Sequence, residues 1–425
     1  MGKKARASPD FLRELWKREG NLMNFAAVIA EFNPFHNGHA YLVRQMREAG
    51  ATHVAAVMSG HMVQRAEPAC FSKWTRAAAA VAGGVDLVLE LPVLYACATA
   101  ERFAMGAVGT LNGLGLPGTL AFGSECGDAE ALRRCVGALE DADGSEELKG
   151  YLARGYAFPR ARELALADRS GEEAAVLLRE PNNILGVEYL RALERTDSPL
   201  RPQTFRRIGV GHDSRRTAGN IASASLLREM LQAGASREAR AYLPEEAYRL
   251  YRRDYALGLA GASFYNLTPA VLYLLQAIPP EKLAGLPDMG EGLDRKLRRA
   301  ARRAGTLDEL LAGAKSKRYP MSRIKRAVAH AMLGISREDA ALPPAYLRVL
   351  AFNERGQEIL RAAKKTANLP VYHSFARLER DFPAYAAPEA LATELFRLGL
   401  PKIQPDFSEY RDQRPNFIRT EGAEG

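Results

Sequence analysis

The residues best suited to chemistry stand in one short run, His36-Asn37-Gly38-His39. It follows an apolar stretch ending Ile29-Ala30-Glu31 and a turn, Phe32-Asn33-Pro34-Phe35, and it opens a helical pattern. Two imidazoles three residues apart at a helix mouth can face one anion. The helix N-terminus adds free N–H groups and partial positive charge. Gly38 removes the side chain that would keep a phosphate from the backbone. Imidazole N–H groups so placed can stabilise charge developing on a phosphoryl group in transfer. The competing reading is a pair of ordinary capping or surface histidines. Only seven histidines occur in the chain, and two fall in the one loop where a ligand is expected, which favours chemistry.

A second anion contact is available near Ile221-Ala222-Ser223-Ala224-Ser225-Leu226-Leu227-Arg228. Ser223 or Ser225 can cap the following helix and Arg228 lies on its first turns; alone this is a common N-cap. Gly113-Leu114-Gly115-Leu116-Pro117-Gly118 formally matches GxGxxG, but it follows a helix and precedes a strand. The dinucleotide fingerprint has the reverse order. No GxxxxGK[ST] loop occurs.

The elements that must position these residues alternate. Strands are predicted over Phe25–Glu31, Thr52–Met58, Val85–Leu91, Thr119–Phe122 and Thr204–Ile208. Helices are predicted over His39–Ala49, Lys73–Ala82, Ala98–Leu114, Ala129–Leu139 and Ile184–Leu193. Short buried strands between helices imply βαβ units and a parallel sheet, whose ligands bind beyond the carboxyl ends of the strands. After Ala235 the strand signal fades into amphipathic helices. The expected organisation is an N-terminal extension (1–22), an α/β catalytic domain (23–235) and a mostly helical domain (236–425).

At 425 residues and 46.6 kDa, with 47% hydrophobic and 26% charged residues, the chain has room for two or three ordinary globular domains. No apolar run approaches the ~20 residues a membrane helix needs, and the basic N-terminus lacks an apolar segment, so a cytoplasmic protein is expected. Cys70, Cys97, Cys126 and Cys135 form no CxxC pair, which argues against a zinc site or a disulfide framework.

Charge is uneven. Residues 236–425 hold 31 Lys+Arg and 23 Asp+Glu, or +8 of the overall +9. Twelve basic residues crowd Arg295–Arg326: Arg295, Lys296, Arg298, Arg299, Arg302, Arg303, Lys315, Lys317, Arg318, Arg323, Lys325 and Arg326. Such a run is either a solvated helix face or a polyanion surface that displaces counterions from phosphates.

The HxGH run resembles the nucleotidyltransferase superfamily, whose members bind ATP on a Rossmann-like sheet. Further segments narrow this: Ser59-Gly60-His61-Met62-Val63-Gln64-Arg65-Ala66-Glu67-Pro68, Lys73-Trp74-Thr75-Arg76, Gly84-Val85-Asp86-Leu87-Val88-Leu89-Glu90-Leu91-Pro92, Phe122-Gly123-Ser124-Glu125, Pro181-Asn182-Asn183-Ile184-Leu185-Gly186 and His212-Asp213. The set is similar to the bacterial tRNA(Met) cytidine acetate ligase family, most specifically from Met23 to Arg228. Departures from the family pattern are His61 for Asn, Ala66 for Gly, and Ser72 for an acidic residue.

The resemblance implies an enzyme that activates acetate with ATP, without acetyl-CoA, through an acetyl-adenylate. It would acetylate N4 of the wobble cytidine of elongator tRNA(Met), with magnesium accompanying the triphosphate and no protein partner. His36 and His39 would be catalytic. ATP would lie along Ile29, Ala30, Glu31, Phe32, Asn33, Pro34, Phe35, His36, Asn37, Gly38, His39, Ala40, Tyr41 and Leu42. Gly123, Asn182 or Asn183, Arg206 or Arg207, Ser223, Ser225 and Arg228 would complete that site. Gln64, Arg65, Lys73 and Arg76 are substrate-side candidates. Arg295, Lys296, Arg299, Arg302, Arg303, Lys315, Lys317, Arg318, Arg323, Lys325 and Arg326 would hold the tRNA. A small-molecule adenylyltransferase and an inactive RNA-binding protein are the alternatives.

Overall fold

The computed structural model describes residues 23–207, 217–232, 236–410 and 415–419. The extension over residues 1–22, Ile208 at the end of the fifth expected strand, His212-Asp213 and the expected boundary at Ala235 lie outside the described residues.

Four apolar runs form strands close to where they are predicted: β1 (Phe25–Ala30), β2 (His53–Ser59), β3 (Leu87–Leu91) and β4 (Gly118–Ser124). The fifth, β5 (Leu200–Arg206), begins four residues ahead of the expected Thr204 and is largely polar, because it is the half-buried edge strand beside β4. Three more come from the second half: β6 (Leu347–Phe352), β7 (Val371–Tyr372) and β8 (Asn416–Phe417). The order is β8-β6-β3-β2-β1-β4-β5, with β7 beside β6. Neighbours are parallel except β3 and β6, which run antiparallel. The described residues of 236–425 are mostly helical, as expected, yet they do not leave the sheet to residues 23–235. Leu-Arg-Val-Leu-Ala-Phe of β6 is almost wholly buried and covers the β3 edge, which would otherwise present unpaired backbone groups.

The main helices are α1 (Asn37–Glu48), α2 (Lys73–Ala82), α3 (Ala100–Asn112), α4 (Pro181–Arg195), α5 (Ala224–Gln232), α6 (Glu245–Ala256), α7 (Leu293–Ala301), α8 (Leu307–Ala314), α9 (Met321–Leu333) and α10 (Pro383–Leu398). α3 and α4 cover one sheet face; α1, α2, α5 and α6 cover the other. Covered on both faces, β2 and β3 are buried at every residue, which is why, apart from His53, Ser59 and Glu90, their sequences are apolar without alternation. A third core joins α7–α10 and also takes in Met62, Ala66, Val93, Leu94 and Cys97. Loops from the carboxyl ends of β2 and β3 are thus embedded in the helical half.

Chain connections run from β1 outward to β2 on one side, whereas β4 lies on its other side. This reversal opens a crevice at the carboxyl ends of β1 and β4. The glycine-rich run at 113–118 sits at the opposite end, capping α3 and opening β4, so its rejection as a phosphate loop agrees with the structure. Among the described residues no helix is long and apolar enough to cross a membrane.

Four buried charges bolt the halves together. Lys73 Nζ lies 2.6 Å from Glu90 and 2.5 Å from Glu409, and Arg348 lies 2.9 Å and 2.6 Å from the same carboxylates. The set is electrically neutral, which makes burial tolerable, and removing one member strands the others. Burial alone would raise the Glu409 carboxyl, but Arg348 and then Lys73 outweigh it and hold it below the usual range. A depressed folded value means the contribution is complete above the unfolded value of about 4.3 and fades as pH falls below it. Glu409→Ala is therefore expected to lose about 3–5 kcal/mol in urea unfolding at neutral pH. The gap to the parent protein should narrow as pH drops through about 4.

Candidate active site

The β1–α1 turn is built for rigidity. Phe32 and Phe35 are buried, and their rings meet edge-on at 5.0 Å. Phe32 adopts the left-handed conformation at φ 47°. Distant residues clamp the turn: Cys70 N donates to Asn33 Oδ1 (2.8 Å), Arg228 to the Asn33 carbonyl (2.8 Å), and Phe35 N to the Tyr251 hydroxyl (2.9 Å). Asn37 Nδ2 donates to the carbonyls of Asn220 and Ala241.

On this base the two histidines cap α1 reciprocally. Gly38 N donates to His36 Nδ1 (3.0 Å), and His36 N donates to His39 Nδ1 (3.3 Å). Their ring centroids are 3.9 Å apart. Each Nδ1 accepts, so the neutral rings carry their proton on Nε2. Burial, then Arg207 and Arg228, push His36 down to about 3. Burial, then His36 and Arg207, hold His39 well below its ordinary value. Both are neutral N–H donors at physiological pH. Gly38 is required by closeness: a Cβ there would stand 2.8 Å from His36 Cε1.

The rings line a cavity of about 180 Å³ in the switch-point crevice. Its walls include Ile29, Ala30, Glu31, Phe32, Asn33 and Leu42 from the first run, with Gly123, Asn182, Arg207, Ser223 and Arg228. A side chamber of about 70 Å³ adds Gly38, Tyr41 and Arg206. A larger cavity of about 470 Å³ adjoins, with Ser225 and Arg65 on its wall.

The family of this fold is decided by its relatives. The sequence model described as HIGH Nucleotidyl Transferase matches residues 23–410. A tRNA(Met) cytidine acetate ligase of Alkaliphilus metalliredigens is 40% identical over 373 residues, spanning 82% of this chain and 87% of its own. Its counterpart in Caldanaerobacter subterraneus subsp. tengcongensis is 39% identical, spanning 84% and 90%. The chain belongs to the tRNA(Met) cytidine acetate ligase family. Among solved structures, the apo crystal structure of Thermotoga maritima TmcAL matches with TM-score 0.86 and 31% identity over 94% of this chain and 100% of that one. The form bound with alpha-thio ATP matches at 0.85 and 32% over the same shares.

Within this ligase fold the open choices separate by position. Asn182 lies on the cavity wall, whereas Asn183 is buried and its Oδ1 accepts from Glu125 N and Cys126 N. Arg207 lines both the main cavity and the chamber; Arg206 lines only the chamber. Pro34, Phe35, Asn37 and Ala40 shape the turn without lining either space.

The substrate-side candidates divide. Gln64 and Arg65 line cavities. Lys73 and Arg76 are fully buried and face none of these spaces. Lys73 belongs to the neutral charge set. Arg76 donates to the carbonyls of Phe71, Glu31, Ser59 and Gly60, tying together the carboxyl ends of β1 and β2. Burial draws Arg76 down to about 10, so it keeps its charge. The departures are accommodated: His61 packs among Trp74, Phe396 and Phe407, Ser72 caps α2, and Ala66 takes a left-handed φ of 57°. Two contributors escape sequence reasoning. Tyr251 has no local signal, since its partner lies 216 residues away. Glu67 stands inside the Gln64–Pro68 run, where its cationic neighbour Arg65 gives the stronger signal.

His36→Asn separates the two roles of that residue, because Asn also caps helices well but lacks the ring donor. ATP–pyrophosphate exchange by His36→Asn is expected to fall about 10²-fold with little loss in thermal stability. Exchange by the parent protein should show no inflection near pH 6.5 assignable to either ring. An inflection there that disappears in His36→Asn would contradict the neutral-donor assignment.

Proposed function

We propose that this protein is an ATP-dependent ligase that converts acetate to acetyl-adenylate and acetylates N4 of the wobble cytidine of elongator tRNA(Met), without acetyl-CoA. The observation that carries the reading is the paired neutral histidines in the switch-point crevice of a fold shared along its length with TmcAL bound with alpha-thio ATP.

In the first step an acetate oxygen attacks the α-phosphorus. A P–O bond forms, the bond to pyrophosphate breaks, and pyrophosphate leaves with the electron pair. His36 and His39 offer Nε2–H to the charge that grows on phosphorus-bound oxygen. Arg207 and Arg228, with Ser223 and the N-terminus of α5, suit the anionic leaving group. Among the described residues no group of three potential ligands is placed to hold a metal ion. By the family resemblance, magnesium would enter with the triphosphate, and no step here runs through it.

In the second step the cytosine amine attacks the acyl carbon and AMP departs. The base must leave its stack, which an anticodon-loop nucleotide does readily. The basic segment supports RNA binding unevenly. Arg295, Arg299, Arg302, Arg303, Lys315, Lys317 and Arg318 are exposed. Arg323 pairs with Glu291, Lys325 with Glu67, Arg326 with Asp288, and Lys296 donates to the Lys315 carbonyl. The exposed seven are the proposed phosphate contacts; Arg323, Arg326 and Lys296 brace the helical half, and Lys325 holds the Glu67 loop.

Mass spectrometry of tRNA incubated with the protein, ATP and labelled acetate should show labelled acetylcytidine in tRNA(Met). A requirement for a small phosphate-bearing acceptor instead would favour the adenylyltransferase reading, and tRNA binding without product would favour the inactive one. Arg299→Glu with Arg303→Glu should weaken tRNA binding and lower its log–log salt slope by about 1–2. Acetate-dependent exchange should stay unchanged in that variant.

A further inference from the structure

The cavity with the histidines and the larger one beside it share a wall made of Asn33, Arg65, Glu67 and Arg228. An acceptor that must reach an acyl group formed beside the α-phosphorus can enter through that seam. At about 470 Å³ the larger space falls in the usual range of ligand sites. It lies between the α/β half and the helical half, where a nucleotide turned out of an RNA loop would arrive.

Among the acidic residues on these walls, Glu31 borders only the smaller cavity and already accepts from Gln64 N (2.5 Å), and Glu229 borders only the larger. Glu67 borders both. Its carboxylate is tethered by Lys325 of α9, and its carbonyl accepts from Val63 N at 3.0 Å within a tight loop closed by a Met62–Pro68 bridge. A carboxylate is the matching acceptor for the exocyclic amine of cytosine. That amine is a poor nucleophile because its lone pair is delocalised into the ring, so a base on its N–H is needed as the new bond forms. On the wall of the same larger cavity Tyr265 presents a ring that is 60% exposed, with its hydroxyl donating to Asp308 (2.9 Å). Such a face suits stacking of an unpaired base.

We propose that the larger cavity receives the acceptor cytosine, stacked on Tyr265, and that Glu67 is a catalytic residue of acyl transfer that takes the amine proton. The C–N bond forms, the acyl C–O bond to AMP breaks, AMP keeps that electron pair, and the proton passes to the Glu67 carboxylate. This rests on the ligase reading above. It also gives Lys325, expected on the tRNA surface, a different role, that of orienting the base.

The test compares Glu67→Gln with the parent protein in three assays: acetate-dependent ATP–pyrophosphate exchange, acetohydroxamate formation with hydroxylamine, and single-turnover acetylation of tRNA(Met). Hydroxylamine attacks an activated acyl group without help from a base. Exchange and hydroxamate should stay within about threefold, and tRNA acetylation should fall about 10²-fold or more. Tyr265→Ala should raise KM for tRNA about tenfold with hydroxamate formation unchanged, and Tyr265→Phe should restore it. Full-rate acetylation by Glu67→Gln, or parallel loss of all three activities, overturns the role given to Glu67. An unchanged KM in Tyr265→Ala overturns the placement of the base. A parent protein with neither exchange nor hydroxamate would defeat the ligase reading itself, and this proposal with it.

Discussion

The reciprocal cap at the start of α1 is the interaction on which the site depends. By accepting a backbone N–H at each Nδ1, it sets both the orientation and the tautomer of His36 and His39. A histidine free to rotate or to protonate would be a weaker and pH-dependent donor. Here burial and neighbouring guanidinium groups keep both rings neutral, so the donors are in place before any ligand enters. The cap in turn needs a turn that cannot shift, and that need explains why Asn33, Tyr251, Arg228 and Cys70 all hold the same few residues still.

The helical half is part of the same machine. It supplies β6 to the sheet edge, Tyr251 to the histidine turn and Glu409 to the buried charge set, while its core encloses the loop that carries Glu67. A separately folding RNA module would leave the seam between the two cavities undefined. Interleaving fixes the acyl-forming and acceptor sides relative to one another, which a reaction with a reactive mixed anhydride requires.

Legibility in the sequence follows the range of the interactions. The first four strands, the switch-point crevice and the histidine loop are readable because apolar runs, turns and a motif are local signals. β6 is not, since an apolar hexapeptide among helices signals burial without naming its neighbour. Lys73 and Arg76 look like substrate contacts because charge near a motif loop resembles a site. Their partners, a carboxylate 336 residues onward and four backbone carbonyls, are invisible to a linear reading. The same limit splits the basic run: seven of its twelve members are exposed cations, while Lys325 and Arg326 answer the carboxylates of Glu67 and Asp288.

By itself the sequence determined which chemistry was available, because histidine pairs, strand periodicity and net charge are properties of residues in order. Only the tertiary structure decided which charges stay free for a ligand, since burial and ion pairing are settled by segments that meet after hundreds of intervening residues. Proton position on an imidazole and the neutrality of a buried quartet are set by distance in space, and distance along the chain carries no record of it.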